Sequence, residues 1–346
     1  METLQQIGIF DKDRKFVAYK YSHALVPLGI LVFYVVIYHI LSFTLIVPKL
    51  AFAETADRFR RRSAANFWRL ANYMLKLNCV KIEITGDELE VDSAVLLSNH
   101  RSIADYIVIS ALAQSLEDKG RPEIDLVSVK FFSWFSLWGL PNLNVFNNIL
   151  SCDENWELDT STTYNTFNPS VVSTKPEWIS VFPEVNIWSA ENNELLNELN
   201  EKYYLPKLQN VLYPRFSSTF NVINGLYKSS FSKLYDITIL YYKKKAADPQ
   251  KIVKMSQTET AIQLESSGEP DEMVRTTLFD SPSLLQVLGE YPSSFVVRVH
   301  VKLKALPRIP LKRKKLEKWL EKEWVEKDKL LEQLQTTILT NHLKEK

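Results

Sequence analysis

Cysteine is nearly absent: Cys79 and Cys152 are the two in 346 residues. That is too few for a disulfide framework and the wrong set for a zinc site, so no metal is expected. Cys79 reads as a small buried residue and Cys152 as a loop thiol. Net charge is nearly absent too, with 42 lysines and arginines against 41 acidic residues, a formal +1. Nothing in that balance points to nucleic acid or another polyanion as a partner. A Gly-x-Ser-x-Gly elbow is missing, which disfavours a hydrolase built on one.

One stretch lacks charge altogether. Residues 24–47, ALVPLGILVFYVVIYHILSFTLIV, hold no Asp, Glu, Lys or Arg. About 20 apolar residues cross the hydrocarbon core of a bilayer, so the stretch reads as a retained transmembrane anchor. It follows a charged segment with Asp11, Lys12, Asp13, Arg14, Lys15 and Lys20, and no small-x-small cleavage pattern closes it. Pro27 and His39 are tolerated within it. A buried core helix is the competing reading. Positive charge is heavier after the stretch (Lys49, Arg58, Arg60, Arg61, Arg62, Arg69) than before it. That asymmetry puts the bulk of the chain on the cytosolic side.

The remaining patterns divide the chain into a polar segment at 1–23, the anchor at 24–47, and an amphipathic helix within 48–79. An α/β core follows at 80–242, then a polar insert at 243–281 and a C-terminal strand and helix at 282–346. In the amphipathic part, Phe67, Leu70, Ala71, Met74 and Leu77 recur at helical spacing. With Arg58 to Arg62 at its start, it fits either an anionic membrane surface or packing on the core. Short apolar strands are expected at 80–84, 94–97, 124–129, 178–182, 211–213 and 237–241, with helices between several of them, including 194–205. This is the pattern of an α/β domain with helices on a sheet. Residues 151–176 are polar and read as a loop. The aromatic run 131–140, FFSWFSLWGL, fits an acyl-chain lining, a membrane-interface segment or a buried helix. Residues 295–304 alternate Val/Leu with Arg298, His300, Lys302 and Lys304, a half-buried strand with one basic face. That face is free for phosphates or for solvent, with His300 on it and not catalytic. Leu316, Leu320, Trp324, Leu331 and Leu334 mark a final amphipathic helix.

The chemistry-bearing residues stand at strand ends. Ser98-Asn99-His100-Arg101-Ser102-Ile103-Ala104-Asp105 lies where an apolar strand stops and an apolar helix starts. An imidazole and a carboxylate five positions apart across that corner can meet as base and orienter, the means of activating a hydroxyl. A satisfied helix-capping His is the other reading of the same pattern. Two further strands end on Pro183-Glu184 and Pro214-Arg215. If these ends converge, a carboxylate and a phosphate-pairing cation join the pair.

These residues resemble the lysophospholipid acyltransferases that share a histidine-x4-aspartate motif, within the branch acting on 1-acylglycerol-3-phosphate, lysocardiolipin and lysophosphatidylinositol. Asn99-His100-Arg101-Ser102-Ile103-Ala104-Asp105 matches the first block of that family and Phe182-Pro183-Glu184 the start of its third. Residues 211–216, VLYPRF, resemble the fourth. Further matches are YDITILY at 235–241, PSLL at 282–285, and Trp319, Leu320 and WVEKD at 324–328. The similarity runs in order from about residue 24 to 334. It implies a mixed sheet flanked by helices of the glycerol-3-phosphate acyltransferase type, anchored in the endoplasmic reticulum membrane. It implies acyl-CoA as co-substrate with no bound cofactor, and a lysophospholipid and the lipid bilayer as further partners. His100 and Asp105 become catalytic. Glu184, Arg215, Arg101, Lys130, Asn99 and Pro183 become substrate-binding.

Two departures stand out. The second block of the family carries a basic residue that holds phosphate, but residues 144–149 here read NVFNNI. Phosphate pairing then falls to Lys130, Arg101 or Arg215. The third block usually continues Pro-Glu-Gly, whereas Val185 follows Glu184 here. Glycine permits positive φ and valine is not expected to. A catalytically impaired lipid-binding relative and a membrane-bound (thio)ester hydrolase are the alternatives.

Overall fold

The computed structural model describes residues 2–10, 15–44, 53–116, 127–133, 136–141, 157–227, 229–243 and 278–344. Their elements in chain order are α1 (Glu2–Ile7), α2 (Ser22–Thr44), α3 (Ala53–Leu77), β1 (Lys81–Gly86), β2 (Ala94–Ser98), α4 (Asp105–Gln114), β3 (Ser128–Ser133), β4 (Ser136–Trp138) and α5 (Thr160–Val171). Then come β5 (Glu177–Val181), α6 (Ala190–Lys202), α7 (Phe216–Gly225), β6 (Lys233–Lys243), α8 (Leu284–Gly289), β7 (Phe295–Ala305) and α9 (Arg313–Lys344).

The strands form one mixed seven-stranded sheet in the order β1-β7-β6-β2-β5-β3-β4. β2 lies near its middle, parallel to β5 on one side and to β6 on the other. That position explains its composition: every residue of β2 and β5 is buried, so neither strand alternates. Apolar side chains of one face (Ala94, Leu96, Tyr235, Ile237) pack with α2, α3, α4 and α8. Those of the other face (Val95, Leu97, Leu234, Leu240) pack with α5, α7 and α9. The result is a sheet with helices on both sides, as the α/β pattern predicts.

Several expectations change in detail. Residues 211–213 form no strand; they run as a buried loop into α7. Their apolarity reflects burial rather than a place in the ladder. The expected strand at 124–129 is seen from Ser128 onward, and 124–126 lie outside the described residues. Part of the expected loop at 151–176 is a helix, α5, started by the Asp159 side chain accepting from Thr162 N at 2.9 Å. The helix expected at 194–205 begins four residues earlier, capped by Ser189. Within the aromatic run, 131–133 and 136–138 pair as the antiparallel strands β3 and β4, with Phe131, Phe132 and Trp138 buried, and 134–135 lie outside the described residues. Cys79 is exposed rather than buried; with φ +57 it closes α3, where Val80 N bonds to Leu75 O and Cys79 N to Lys76 O. Cys152 and most of the 243–281 insert lie outside the described residues.

α2 is the one helix among the described residues long and apolar enough to cross a membrane. Leu25, Val26, Ile30, Val32, Phe33, Val36 and Ile40 are exposed on it, which a core helix would not show. Its other side follows the domain. Ala24 meets Gly289 of α8, Tyr34 donates to Ser63 O of α3 at 3.1 Å, and Tyr38 stacks on Phe59. α3 in turn buries Phe67, Trp68, Ala71 and Met74 in the core and leaves Arg58 and Arg62 exposed.

The basic face of β7 is neutralised within the protein. Arg298 pairs with Glu83 at 2.7 Å, Lys302 with Glu326 at 3.2 Å, and Lys304 with Glu323. His300 lies beside Thr85 at 3.2 Å, and burial lowers its pKa. The face is thus paired within the protein, with Lys302 and its partner Glu326 still open to solvent.

Candidate active site

The carboxyl ends of β2 and β5 lie side by side because the strands pair in parallel. In open α/β sheets that edge is where ligands bind. His100 leaves β2 there, and Asp105 begins α4 five residues later. His100 Nδ1 is 2.9 Å from Asp105 Oδ2. An ionised carboxylate only accepts, so Nδ1 carries the proton and Nε2 is left as the acceptor. Nε2 has no hydrogen-bond partner among the described residues. The ring stacks on Phe182 with centroids 4.4 Å apart and meets the edge of Tyr106 at 5.5 Å. Both members of the pair are buried.

Asp105 is surrounded by donors. Its Oδ2 also accepts Arg101 N at 2.6 Å and Ser102 N at 2.9 Å, and its Oδ1 accepts the Tyr241 hydroxyl at 2.6 Å. The Ser102 hydroxyl donates to Pro282 O at 2.7 Å, tying the loop to the start of the C-terminal part. One carboxylate thus holds the loop and the imidazole together, while no side chain caps the start of α4.

Asn99 and Ile239 are joined by two bonds. Asn99 Nδ2 donates to Ile239 O at 2.9 Å, and Ile239 N donates to Asn99 Oδ1 at 2.7 Å. The amide side chain thus adds one more rung to the β2–β6 ladder, and both its hydrogen-bonding groups are spent on backbone.

Glu184 follows β5 and is buried. Its Oε1 accepts Trp324 Nε1 at 3.1 Å, and the N–H groups of Leu212 and His100 face its carboxyl. Burial pushes its pKa up to about 8 against the pull of these donors and of Arg101. The side chain thus lies behind His100, with Trp324 as its hydrogen-bond donor on Oε1 and Oε2 left without one among the described residues. Val185 after it has φ +63, and Asn186 N closes back on Glu184 O at 2.7 Å. A β-branched residue therefore holds the left-handed turn for which glycine is suited.

Arg101 is buried. It donates from Nη1 to Asn210 O at 3.0 Å and lies over the Trp188 ring at 4.1 Å. Burial lowers its pKa to about 10, which leaves it cationic at neutral pH. Trp188 donates its backbone N–H to His100 O at 2.9 Å and its indole N–H to Gln209 O at 3.2 Å. Arg101 and Trp188 together clamp the loop after β5 to the loop before α7.

Pro183 O accepts Arg215 N at 2.7 Å, so the backbone of Arg215 is held at the end of β5. Its side chain is half-buried at the start of α7. Lys130 is placed elsewhere: it pairs with Glu177 at 2.7 Å and with Ser170 of α5 at 3.0 Å. Glu177 opens β5, whereas Glu184 lies past its other end. Residues 144–149, where the missing cation is expected, lie outside the described residues. No cluster of metal-ligating side chains occurs among the described residues.

Tyr241, Trp324 and Asp328 are the site-building residues that sequence reasoning did not single out. Asp328 accepts Gln209 N at 2.9 Å and Asn210 N at 2.6 Å. A tyrosine on the core face of β6 and an indole on the buried stripe of α9 were the available signals, and both read as ordinary core.

Comparison with known proteins finds distant relatives. The chain is 24% identical over 262 residues to 1-acyl-sn-glycerol-3-phosphate acyltransferase 2 of Brassica napus, covering 73% of this chain and 56% of that protein. It is 24% identical over 322 residues to the protein of the same name from Arabidopsis thaliana, covering 89% and 71%. A probable 1-acyl-sn-glycerol-3-phosphate acyltransferase 5 of Arabidopsis thaliana is 24% identical over 262 residues, covering 74% and 57%. The chain thus spans little more than half the length of the Brassica relative. No family model and no solved structure matches. Each of these relatives is named as a 1-acyl-sn-glycerol-3-phosphate acyltransferase.

Proposed function

We propose that the protein is a membrane-bound O-acyltransferase that moves a fatty acyl group from acyl-CoA to the free hydroxyl of a lysophospholipid, of the lysophosphatidic acid or lysophosphatidylinositol type. The observation that carries this reading is the imidazole of His100, fixed through Nδ1 by Asp105 and unpartnered at Nε2 among the described residues. Distant relatives named as 1-acyl-sn-glycerol-3-phosphate acyltransferases support the reading of a lysophospholipid acceptor.

In this mechanism Nε2 takes the proton of the lipid hydroxyl as its oxygen attacks the thioester carbonyl. A C–O bond forms, and the C=O electron pair moves onto the carbonyl oxygen. Collapse of that intermediate breaks the C–S bond, and the imidazolium returns the proton to the departing thiolate. Asp105 holds the imidazole in the required tautomer and stabilises its charged form. The acceptor brings its own nucleophile, so the chain needs none.

Arg215, half-buried at the rim of the β5 end, is the arginine we assign to the headgroup phosphate, through charge-assisted bonds. Arg101, Glu184, Asn99 and Pro183 act one layer behind, holding the loops. Lys130 is already paired with Glu177. α2 anchors the domain at the membrane, and the cytosolic face of the endoplasmic reticulum is the location this reading carries.

The test is transfer of labelled acyl groups from several acyl-CoAs to a panel of lysolipids in membranes containing the protein. His100→Ala is expected to abolish transfer; full activity in that variant would remove the mechanism. Release of CoA that depends on the lysolipid separates a transferase from a thioester hydrolase.

A further inference from the structure

Tyr241 is buried, and its hydroxyl belongs to no part of the mechanism above. It donates to Asp105 Oδ1 at 2.6 Å, while the other carboxylate oxygen takes His100 Nδ1 and the N–H groups of Arg101 and Ser102. The placement follows from the sheet. Ser98, the last residue of β2, is in register with Ile237, so β6 runs on past the end of β2 and over the catalytic loop. Asn99 locks that overhang by bonding both the N–H and the C=O of Ile239, two residues before Tyr241.

We propose that Tyr241 is a positioning residue of this site, its hydroxyl setting how strongly Asp105 holds the His100 imidazole. The proposal rests on the reading of His100 as the base. The physical argument is a competition for one carboxylate. A phenol O–H bound to Oδ1 takes up part of the negative charge that Asp105 offers to an imidazolium. Removing the donor leaves more of that charge for His100, which then keeps its proton to higher pH. A neutral imidazole is the active form, so the acid limb of the rate profile moves up.

Among the described residues, the other titratable or charged groups around the pair are Arg101 of the loop, Tyr106 of α4 and Glu184 after β5. Asp280 and Asp328 act on Arg101. Charged neighbours acting on Tyr241 are Asp105, which raises its pKa together with burial, and Arg101, which opposes them. None of these groups changes when only the phenol oxygen is removed.

The experiment uses the full chain in membranes and compares Tyr241→Phe with the unaltered protein. Acyl transfer should lose about tenfold in kcat at neutral pH with KM for both substrates unchanged, the worth of one hydrogen bond to a charged group. The acid limb should move up by about half to one pH unit, the same kind of energy expressed as a titration shift. Site-specific 3-fluorotyrosine at position 241 keeps the shape, strengthens the donor and should move the limb the other way. It also serves if the phenylalanine variant does not fold.

Carbon-13 labelling of the histidines reads the His100 titration without any turnover, with His100→Ala identifying its resonance. If neither variant moves that titration, or if only KM changes, Tyr241 is a core residue and the proposal is overturned. If the titration moves but no lysolipid is acylated, the coupling stands and the acyltransferase reading fails. The two ideas can thus fail separately.

Discussion

Trp324 donates its indole N–H to Glu184 at 3.1 Å, joining the buried stripe of α9 to the loop after β5 across 140 residues of sequence. The acceptor is a buried carboxyl whose other neighbours are backbone N–H groups of Leu212 and His100. Removing the indole N–H should therefore cost more than an ordinary core change. Trp324→Phe is expected to lower unfolding stability by about 1–3 kcal/mol, as for a buried polar group left without its partner. Because Trp324 holds the Glu184 pKa down, the variant should also raise it further. Denaturant unfolding at pH 6 and pH 8 measures both effects.

The pKa of Glu184, pushed by burial up to about 8, makes stability depend on pH. The folded state binds this proton more tightly than the unfolded chain. Its contribution is fully present below the unfolded carboxylate value and is lost as pH rises through about 8. Thermal midpoints should accordingly fall across that window. Glu184→Gln keeps the shape of the protonated acid and should flatten the dependence; an unchanged slope in that variant would assign it to other groups.

Val185 holds a left-handed turn with φ +63 that closes Glu184 O on Asn186 N. Left-handed backbone costs a β-substituted residue roughly 1–2 kcal/mol. Glycine is free of that cost but loses more entropy on folding. The strain is the larger effect at a β-branched residue, so Val185→Gly is expected to stabilise the folded protein by about 1 kcal/mol, with activity retained. A calorimetric scan in detergent would show the gain as a higher midpoint.

Lys130 offers a test of where the phosphate is held. Its ammonium sits between Glu177 and Ser170, so Lys130→Met should leave a largely buried carboxylate unpaired and destabilise the fold by about 3 kcal/mol. KM for the lysolipid should not change. Adding Glu177→Gln should recover most of the stability. A rise in KM with stability intact would return Lys130 to the substrate. Arg215→Ala is the matched control, expected to raise KM strongly.

What could be read ahead of the structure was whatever is local in the chain. The His100–Asp105 contact spans five positions across one strand-to-helix corner, so the spacing marks it as a candidate pair, with a capping histidine as the other reading. Buried strands announced themselves as unbroken apolar runs, and α2 by its lack of charge. Longer links left no such trace. Tyr241 and Trp324 look like core residues until the sheet brings them to Asp105 and Glu184. The resemblance makes Asn99 a substrate-binding residue, yet its amide is bonded at both ends to Ile239 of β6. The apolar 211–213 segment imitated a strand because burial, which it has, and ladder pairing, which it lacks, select the same side chains. Polar α5 imitated a loop because its formation rests on the Asp159 cap and on packing of Phe167, not on a long apolar stripe.

The buried face of α9 has a consequence for the order of events in the cell. Trp324 holds the Glu184 loop, Lys327 bonds to Asp236 and Ile237 O of β6, and Asp328 holds Gln209 and Asn210. These three residues are made long after the histidine they help to seat. A ribosome that has finished β2, α4, β5 and α7 has therefore produced an imidazole without a settled frame. Domains fold as they emerge, N-terminal parts first, but here the early parts must wait for the late one. During that interval the apolar α2 has already been made, so on the proposed membrane reading its contact with lipid should precede completion of the proposed site.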